Sequence, residues 1–209
     1  MEVLELKPIK NKEITVYLID KIRISLQHND IDVLKELVET NEISFITVET
    51  SNENFKEFKN SNLSIILNGL NLEFHLLDIP EYAYGYLFDE INKKENQIKV
   101  LSSEYRNLND KNSFKALNLN SWIEVLKKEV IHDKTVLDTK TRPQWIVKKI
   151  LDIARLHKNE KMSLIHFFQE GTLAEITKQF RELHIEVIVY ELNNFHNFPY
   201  IIIKQEEIN

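Results

Sequence analysis

The sequence predicts an α/β fold with a mainly parallel central sheet, helices on both faces and a helical insertion at about residues 81–135. Short apolar runs rich in β-branched residues are typical of buried strands, and they alternate with segments whose apolar residues recur at helical spacing. Strands that alternate with helices are expected to pair in parallel. No internal repeat or low-complexity linker interrupts the pattern. The 209 residues are therefore expected to form a single domain that carries the insertion.

Composition excludes several classes of protein. The formal net charge of −6 disfavours a broad electrostatic interaction with nucleic acid. The chain has no cysteine, which excludes disulfides, thiolate metal sites and cysteine nucleophiles and is compatible with the cytoplasm, where we expect the protein. No apolar run approaches the roughly 18 residues of a membrane span, so no membrane association is expected. Only three glycines are present, and no glycine-rich phosphate loop is found.

Three strands are predicted in the first half of the chain, at residues 14–19, 43–48 and 72–77. A capped helix is predicted to begin at Asn29–Asp30, after the first strand. A short charged helix is predicted within 51–59. The apolar run 63–67 is compatible with either a strand or a helix.

The insertion is predicted to begin with a helix over 81–93, because Pro80 suits the first turn of a helix. Further helical stretches follow, including one at 121–130. The segment 132–140 is polar and is predicted to be a connection. Thr141 or Arg142 is then expected to cap the next helix.

The last part of the chain predicts two more strands, at 163–168 and 185–190, and an edge strand at 200–203. Thr172-Leu-Ala-Glu175 has the spacing of a capping box, in which the threonine hydroxyl and the glutamate satisfy free backbone donors. It predicts a helix that ends near Leu183.

Three predicted strands each end in a carboxylate, namely Asp20, Glu49 and Asp78, and Glu191 ends the fifth strand in the same way. Ligands of open α/β sheets bind beyond the carboxyl ends of the strands. If the strands are parallel neighbours, these side chains converge there, and oxygen-rich clusters suit Mg²⁺, Mn²⁺ or Ca²⁺. A carboxylate in this position also marks the exit of a buried strand or caps the next helix. His166 is flanked by apolar residues, which is typical of a core histidine.

Several catalytic signatures are missing. The chain has no H-E-x-x-H and no G-x-S-x-G sequence. Glu49 is followed by Thr50 and Ser51, so the E-x-K element of metal-dependent nucleases is absent too.

Four stretches carry a resemblance to a known family: VYLIDKIRIS, ISFITVET, NLEFHLLDIPEYAYGYL and the closing unit from LDTKTRPQWIVKKIL to IEVIVYE. Their order resembles the TraB/Tiki family, which is related to the ChaN and erythromycin-esterase-like proteins. The resemblance extends over nearly the whole chain and lies mostly in pattern. It implies an α/β scaffold in which two histidine motifs and a glutamate hold a divalent metal for hydrolysis.

The motif residues themselves have changed. Residues 20–23 read Asp-Lys-Ile-Arg where the family has G-T-x-H, and residues 166–169 read His-Phe-Phe-Gln where it has G-x-x-H. Glu49 remains at the position of the acidic residue, and Arg142 remains at the arginine of the family's E-R-D helix. These two are the positions that the resemblance marks as catalytic.

Three functions stay open. The resemblance and the lost motifs favour a non-catalytic member, a pseudoenzyme without a cofactor that binds a protein partner or a small anionic ligand. Its ligand-binding residues would be Arg23, Arg142, His166 and Gln169. In such a member, Arg23 and Arg142 are also expected to pair with the carboxylates of Asp20 and Glu49.

The first alternative is a hydrolase with a rebuilt Mg²⁺ or Mn²⁺ site at Asp20, Glu49 and Asp78. The second is an interaction or regulatory protein that shares only the fold and exposes an apolar patch, for example on the helix 81–93.

Overall fold

Five parallel strands and one antiparallel edge strand form a single sheet in the computed structural model, which describes residues 6–21, 28–50, 55–169, 171–190 and 201–202. The strands are β1 (Glu13–Asp20), β2 (Ile43–Glu49), β3 (Phe74–Leu77), β4 (Lys161–Phe168), β5 (Glu186–Tyr190) and β6 (Ile201–Ile202). Their order across the sheet is β3-β2-β4-β1-β5-β6, and only β6 runs antiparallel to its neighbour. The predicted α/β class with a mainly parallel sheet is confirmed.

The helices are, in chain order, α1 (His28–Thr40), α2 (Phe55–Lys59), α3 (Asn62–Gly69), α4 (Glu81–Arg106), α5 (Phe114–Val136), α6 (Arg142–Leu156) and α7 (Leu173–Glu182). Of these, α1 and α3 pack on one face of the sheet and α6 and α7 on the other. Side chains alternate between the faces along each strand. In β1, Val16 and Leu18 therefore pack in one core with α6 and α7, whereas Tyr17 and Ile19 pack in a second core with α1 and α3.

The chain divides into two compact units. One contains residues 1–78 and 142–209 and holds the sheet, and the other is the inserted segment 79–141. In the inserted unit, α4 and α5 run antiparallel, as their ion pairs show. Lys94 Nζ, in the middle of α4, lies 2.7 Å from Asp133 Oδ2, late in α5, while Glu104 Oε1, near the end of α4, lies 2.7 Å from Lys115 Nζ at the start of α5.

Two predictions for the insertion were wrong. The first helix does not end near residue 93 but continues to Arg106. The segment 132–140 is not a connection, because α5 runs through it to Val136 and a π-helical turn follows at Leu137–Thr141. Its polar residues form helix contacts instead. Lys134 Nζ pairs with Glu95 Oε1 at 2.7 Å, and Thr135 Oγ1 donates to the carbonyl of Ile131.

Helix α6 begins directly at Arg142, so neither Thr141 nor Arg142 is a separate cap of the predicted kind. The ambiguous run 63–67 belongs to α3, whose N-cap Ser61 accepts a hydrogen bond from the backbone N–H of Ser64 at 3.2 Å. Among the described residues, no helix is both long and apolar enough to span a membrane.

Candidate functional site

The carboxyl edge of the sheet brings together only part of the predicted carboxylate set. Glu49 ends β2 and Asp78 follows β3, and these two strands are neighbours. Asp20 ends β1, which is separated from β2 by β4. The predicted convergence of the three strand ends is therefore interrupted. Strand β4, which carries His166 and is followed by Gln169, lies between the strand that ends in Asp20 and the two strands of the other carboxylates.

A buried hydrogen-bond network lies on the face of the sheet that packs against α6 and α7. His166 on β4 stands opposite Thr47 on β2, and Glu49 lies two residues further along the same strand. The distance from His166 Nδ1 to Thr47 Oγ1 is 2.9 Å, and that from His166 Nε2 to Glu49 Oε1 is 3.2 Å. Glu49 is 2% exposed and His166 is fully buried, so both ring nitrogens have partners inside the protein.

The partners determine the roles of the ring nitrogens. An ionised carboxylate only accepts hydrogen bonds, so His166 Nε2 is assigned as the donor to Glu49. In the neutral ring, Nδ1 is then the acceptor, and the Thr47 hydroxyl donates to it at 2.9 Å rather than to the Ile165 carbonyl, which is farther away at 3.4 Å. The two partners therefore fix both the tautomer and the orientation of the imidazole.

Thr172 completes the network from the start of α7. Its Oγ1 lies 2.7 Å from Glu49 Oε1 and 2.8 Å from the carbonyl oxygen of Gln169. The predicted capping box is wrong, because the Thr172 side chain makes no capping hydrogen bond to the helix, and Glu175 accepts instead from Gln179. A hydroxyl that donates to a carboxylate forms a charge-assisted hydrogen bond, which is stronger than an ordinary cap.

Gly171 permits the turn that positions Thr172. Its φ of +96° lies in the left-handed region, where side chains are strained. Of the three glycines, this one is required by the backbone conformation next to the site.

The two carboxylate oxygens of Glu49 have different surroundings. Its Oε1 atom carries the contacts to His166 and Thr172, whereas Oε2 is buried and has no hydrogen-bond partner among the described residues. A buried carboxylate oxygen of this kind costs free energy unless a donor reaches it.

Lys21 brings a positive charge to the same edge. Its Nζ donates to the backbone carbonyl of Glu49 at 2.9 Å and lies 3.4 Å from Gln169 Oε1. Burial lowers the pKa of the Lys21 ammonium. The charge of Glu49 opposes this lowering, Arg142 adds to it, and Asp78 and then Asp20 oppose it. These four charged groups are therefore close enough to Lys21 to shift its pKa.

Arg142 is the second cation of the site. Its Nε atom lies 3.3 Å from Asp78 Oδ1, and the two side chains are only 18% and 10% exposed. The ion pair described for Arg142 is thus with Asp78, which was not among the expected partners Asp20 and Glu49. Arg23 and Glu191 lie outside the described residues.

Sequence reasoning missed Thr47 and Thr172 as site residues. Thr47 lies between Ile46 and Val48, which are both fully buried, and a hydroxyl flanked by such residues is the available signal. The role of Thr172 was hidden because its local spacing matched a helix cap. No residue signal could show that the two hydroxyls meet the same histidine–glutamate pair.

A metal-ligand geometry is not found among the residues that the structure describes, where no group of three or more histidine, aspartate or glutamate side chains is placed to hold an ion. Several large aromatic side chains of the inserted unit are exposed. Tyr82 and Tyr86 of α4 are 76% and 73% exposed, and Phe114 and Trp122 of α5 are 81% and 62% exposed.

Comparison of the chain with models of protein families, with curated proteins and with solved structures gave no match.

Proposed function

We propose that this chain is a non-catalytic, TraB/Tiki-like protein that binds a small anionic ligand at the carboxyl edge of its sheet. The observation that carries the proposal is the pair of partly buried cations, Lys21 and Arg142. The charge of Arg142 contributes to lowering the pKa of Lys21, so the two positive groups repel each other. An anion that contacts both would relieve that repulsion, and low exposure would strengthen each contact.

The ligand chemistry follows from these two groups. A guanidinium binds carboxylates and phosphates through paired N–H donors, while an ammonium acts as a compact point charge. The carboxylates of Glu49 and Asp78 balance the cations in the unliganded protein, and Asp78 competes with the ligand for Arg142. We therefore expect micromolar or weaker affinity for a simple anion and preference for a ligand with two acceptor oxygens.

The histidine–glutamate pair supports a non-catalytic role. General acid–base catalysis needs a group within hydrogen-bond reach of a substrate. His166 is fully buried, and both of its ring nitrogens contact protein side chains. Its function in this proposal is to hold Glu49, whose backbone carbonyl accepts from Lys21.

Isothermal titration with acetate, citrate and inorganic phosphate tests this proposal. We expect at least one of these anions to bind with 1:1 stoichiometry, and Lys21→Met and Arg142→Gln each to weaken binding roughly tenfold or more. Lys128→Met, an exposed lysine on α5, is the matched control and should leave the affinity unchanged.

Two results would contradict the proposal. One is that none of the three anions binds. The other is stoichiometric Mg²⁺ or Mn²⁺ binding together with hydrolysis of an ester that Glu49→Ala abolishes, which would establish the hydrolase alternative at Asp20, Glu49 and Asp78.

A further inference from the structure

A groove lies on the sheet-containing unit, between the N-terminal segment 6–10 and α6. Its volume is about 680 Å³. Sites for small molecules range over roughly 300–1,000 Å³, so the groove is large enough for a ligand of nucleotide size. None of its lining residues belongs to the Lys21–Arg142 site.

Positive charge is concentrated in this groove. Lys7, Lys10, Lys148 and Arg155 line it, with Asp152 as the one carboxylate in the lining. The whole chain has a formal net charge of −6, so this local excess is opposite in sign to the rest of the molecule. Clustered cations in a concave site raise the local concentration of anions.

Asp152 organises two of these cations. Its two carboxylate oxygens lie 2.6 Å from Lys148 Nζ and 2.7 Å from Arg155 Nη1. Arg155 Nη2 also donates to the backbone carbonyl of Lys7 at 2.8 Å. The guanidinium is therefore held in one orientation and joins the N-terminal segment to α6.

The N-terminal segment 6–10, opposite α6, is held by core packing and by a hydrogen bond that follows it in the chain. Leu6 and Ile9 pack against the core cluster on the α6 and α7 face, while Lys7 and Lys10 are exposed. Further along, Lys12 Nζ donates to the carbonyl of Ala154 at 2.8 Å, near the C-terminus of α6. These contacts connect the N-terminal segment to α6 and to the core.

We propose that this groove binds a phosphorylated small molecule, at a site independent of the strand-edge site. The basic side chains suit phosphate oxygens, with Arg155 and Lys148 positioned by Asp152. Leu6 and Pro8 supply an apolar surface for the non-phosphate part of the ligand. This combination favours a phosphorylated metabolite with an apolar or ring moiety over a bare inorganic anion.

Titration of the full chain with AMP, ribose 5-phosphate and inorganic pyrophosphate, followed by backbone amide chemical shifts, tests the proposal. We expect AMP to bind and to perturb amides of residues 6–10 and 148–155. Lys10→Glu should weaken binding roughly tenfold, because it reverses one charge of the groove. Lys128→Glu on α5 makes the same reversal at an exposed control position and should have no effect. Affinity should also fall as NaCl is raised.

The two sites are distinguished by their variants. Loss of AMP binding in Lys10→Glu but not in Lys21→Met supports the groove, whatever the fate of the strand-edge proposal. Loss in Lys21→Met but not in Lys10→Glu assigns the phosphate to the strand edge and overturns the groove. The groove proposal is also overturned if none of the three compounds perturbs residues 6–10 and 148–155.

Discussion

His166 Nε2 lies 3.2 Å from Glu49 Oε1 in the interior of the sheet, although 117 residues separate the two positions in sequence. The pair exists because β4 inserts between β1 and β2, which brings His166 opposite Thr47 and beside Glu49. Buried polar groups of this kind stabilise a protein only while every partner is in place. Removal of a single partner should therefore measurably change the free energy of unfolding.

Removal of the Glu49 carboxylate should be strongly destabilising. Glu49→Ala leaves His166 Nε2 without its acceptor and leaves the Thr172 hydroxyl only the carbonyl of Gln169, and we expect a loss of about 3 kcal/mol in the free energy of unfolding. Glu49→Gln keeps an acceptor oxygen and should cost clearly less. Urea unfolding measures both, with the exposed Glu13→Gln as control. Equal losses in the two Glu49 variants would contradict the hydrogen-bond assignment.

The hydroxyl of Thr47 should contribute more to stability than that of Thr15, a half-buried threonine on β1. Thr47→Val removes the 2.9 Å contact to His166 Nδ1 within a fully buried site, and we expect a loss of about 1–2 kcal/mol. Thr15→Val removes an equally short contact to the exposed Glu186 and should cost less than about 0.5 kcal/mol. A similar cost for both variants in urea unfolding would argue against the buried network.

Lys21 should give the stability of the protein a specific pH dependence. Its pKa in the folded state is lowered from the ordinary value of 10.5, first by burial. Between the lowered value and 10.5, the unfolded chain binds more protons than the folded one, so stability rises with pH through this window. Lys21→Met should remove that part of the rise. Identical pH profiles of wild type and variant, measured by denaturant unfolding, would show that Lys21 is not desolvated.

Removal of neighbouring charges should shift the pKa of Lys21 in opposite directions. Arg142→Gln removes a cation that lowers the pKa of Lys21, so this pKa should increase. Glu49→Gln removes a carboxylate that raises it, so this pKa should fall further. Titration of the Lys21 side-chain NMR resonance, assigned with Lys21→Met, measures both shifts. Shifts of the same sign would contradict the described arrangement of charges.

Two glycines should respond oppositely to the same substitution. Gly171 has a φ of +96°, so Gly171→Ala strains the turn before Thr172 and should destabilise the protein by about 1–2 kcal/mol. Gly85 lies inside α4 with no atom within 4 Å of an added Cβ, so Gly85→Ala should stabilise that helix by about 0.5–1 kcal/mol. Thermal unfolding compares the two variants, and a stabilising Gly171→Ala would refute the conformational requirement at that turn.

Local sequence patterns determined the elements of the sheet. The apolar runs at 14–19, 43–48 and 163–168 became β1, β2 and β4, because β-branched and aromatic side chains suit a surface that is buried on both faces. They also placed Glu49 at the end of its strand and His166 within a core strand. These features depend on residues that are close in the chain, which is why the sequence alone could predict them.

Tertiary structure decided which of these residues meet. The position of β4 between β1 and β2 depends on pairing between distant segments, and it placed His166 beside Glu49 and kept Asp20 two strands away from Glu49. Likewise, Thr172 matched a helix cap locally, but a buried carboxylate nearby forms the stronger hydrogen bond with its hydroxyl. The polar segment 132–140 is helical and contacts α4, for example through the ion pair Lys134–Glu95. In each case the deciding partner lies far away in sequence, where local propensity carries no information.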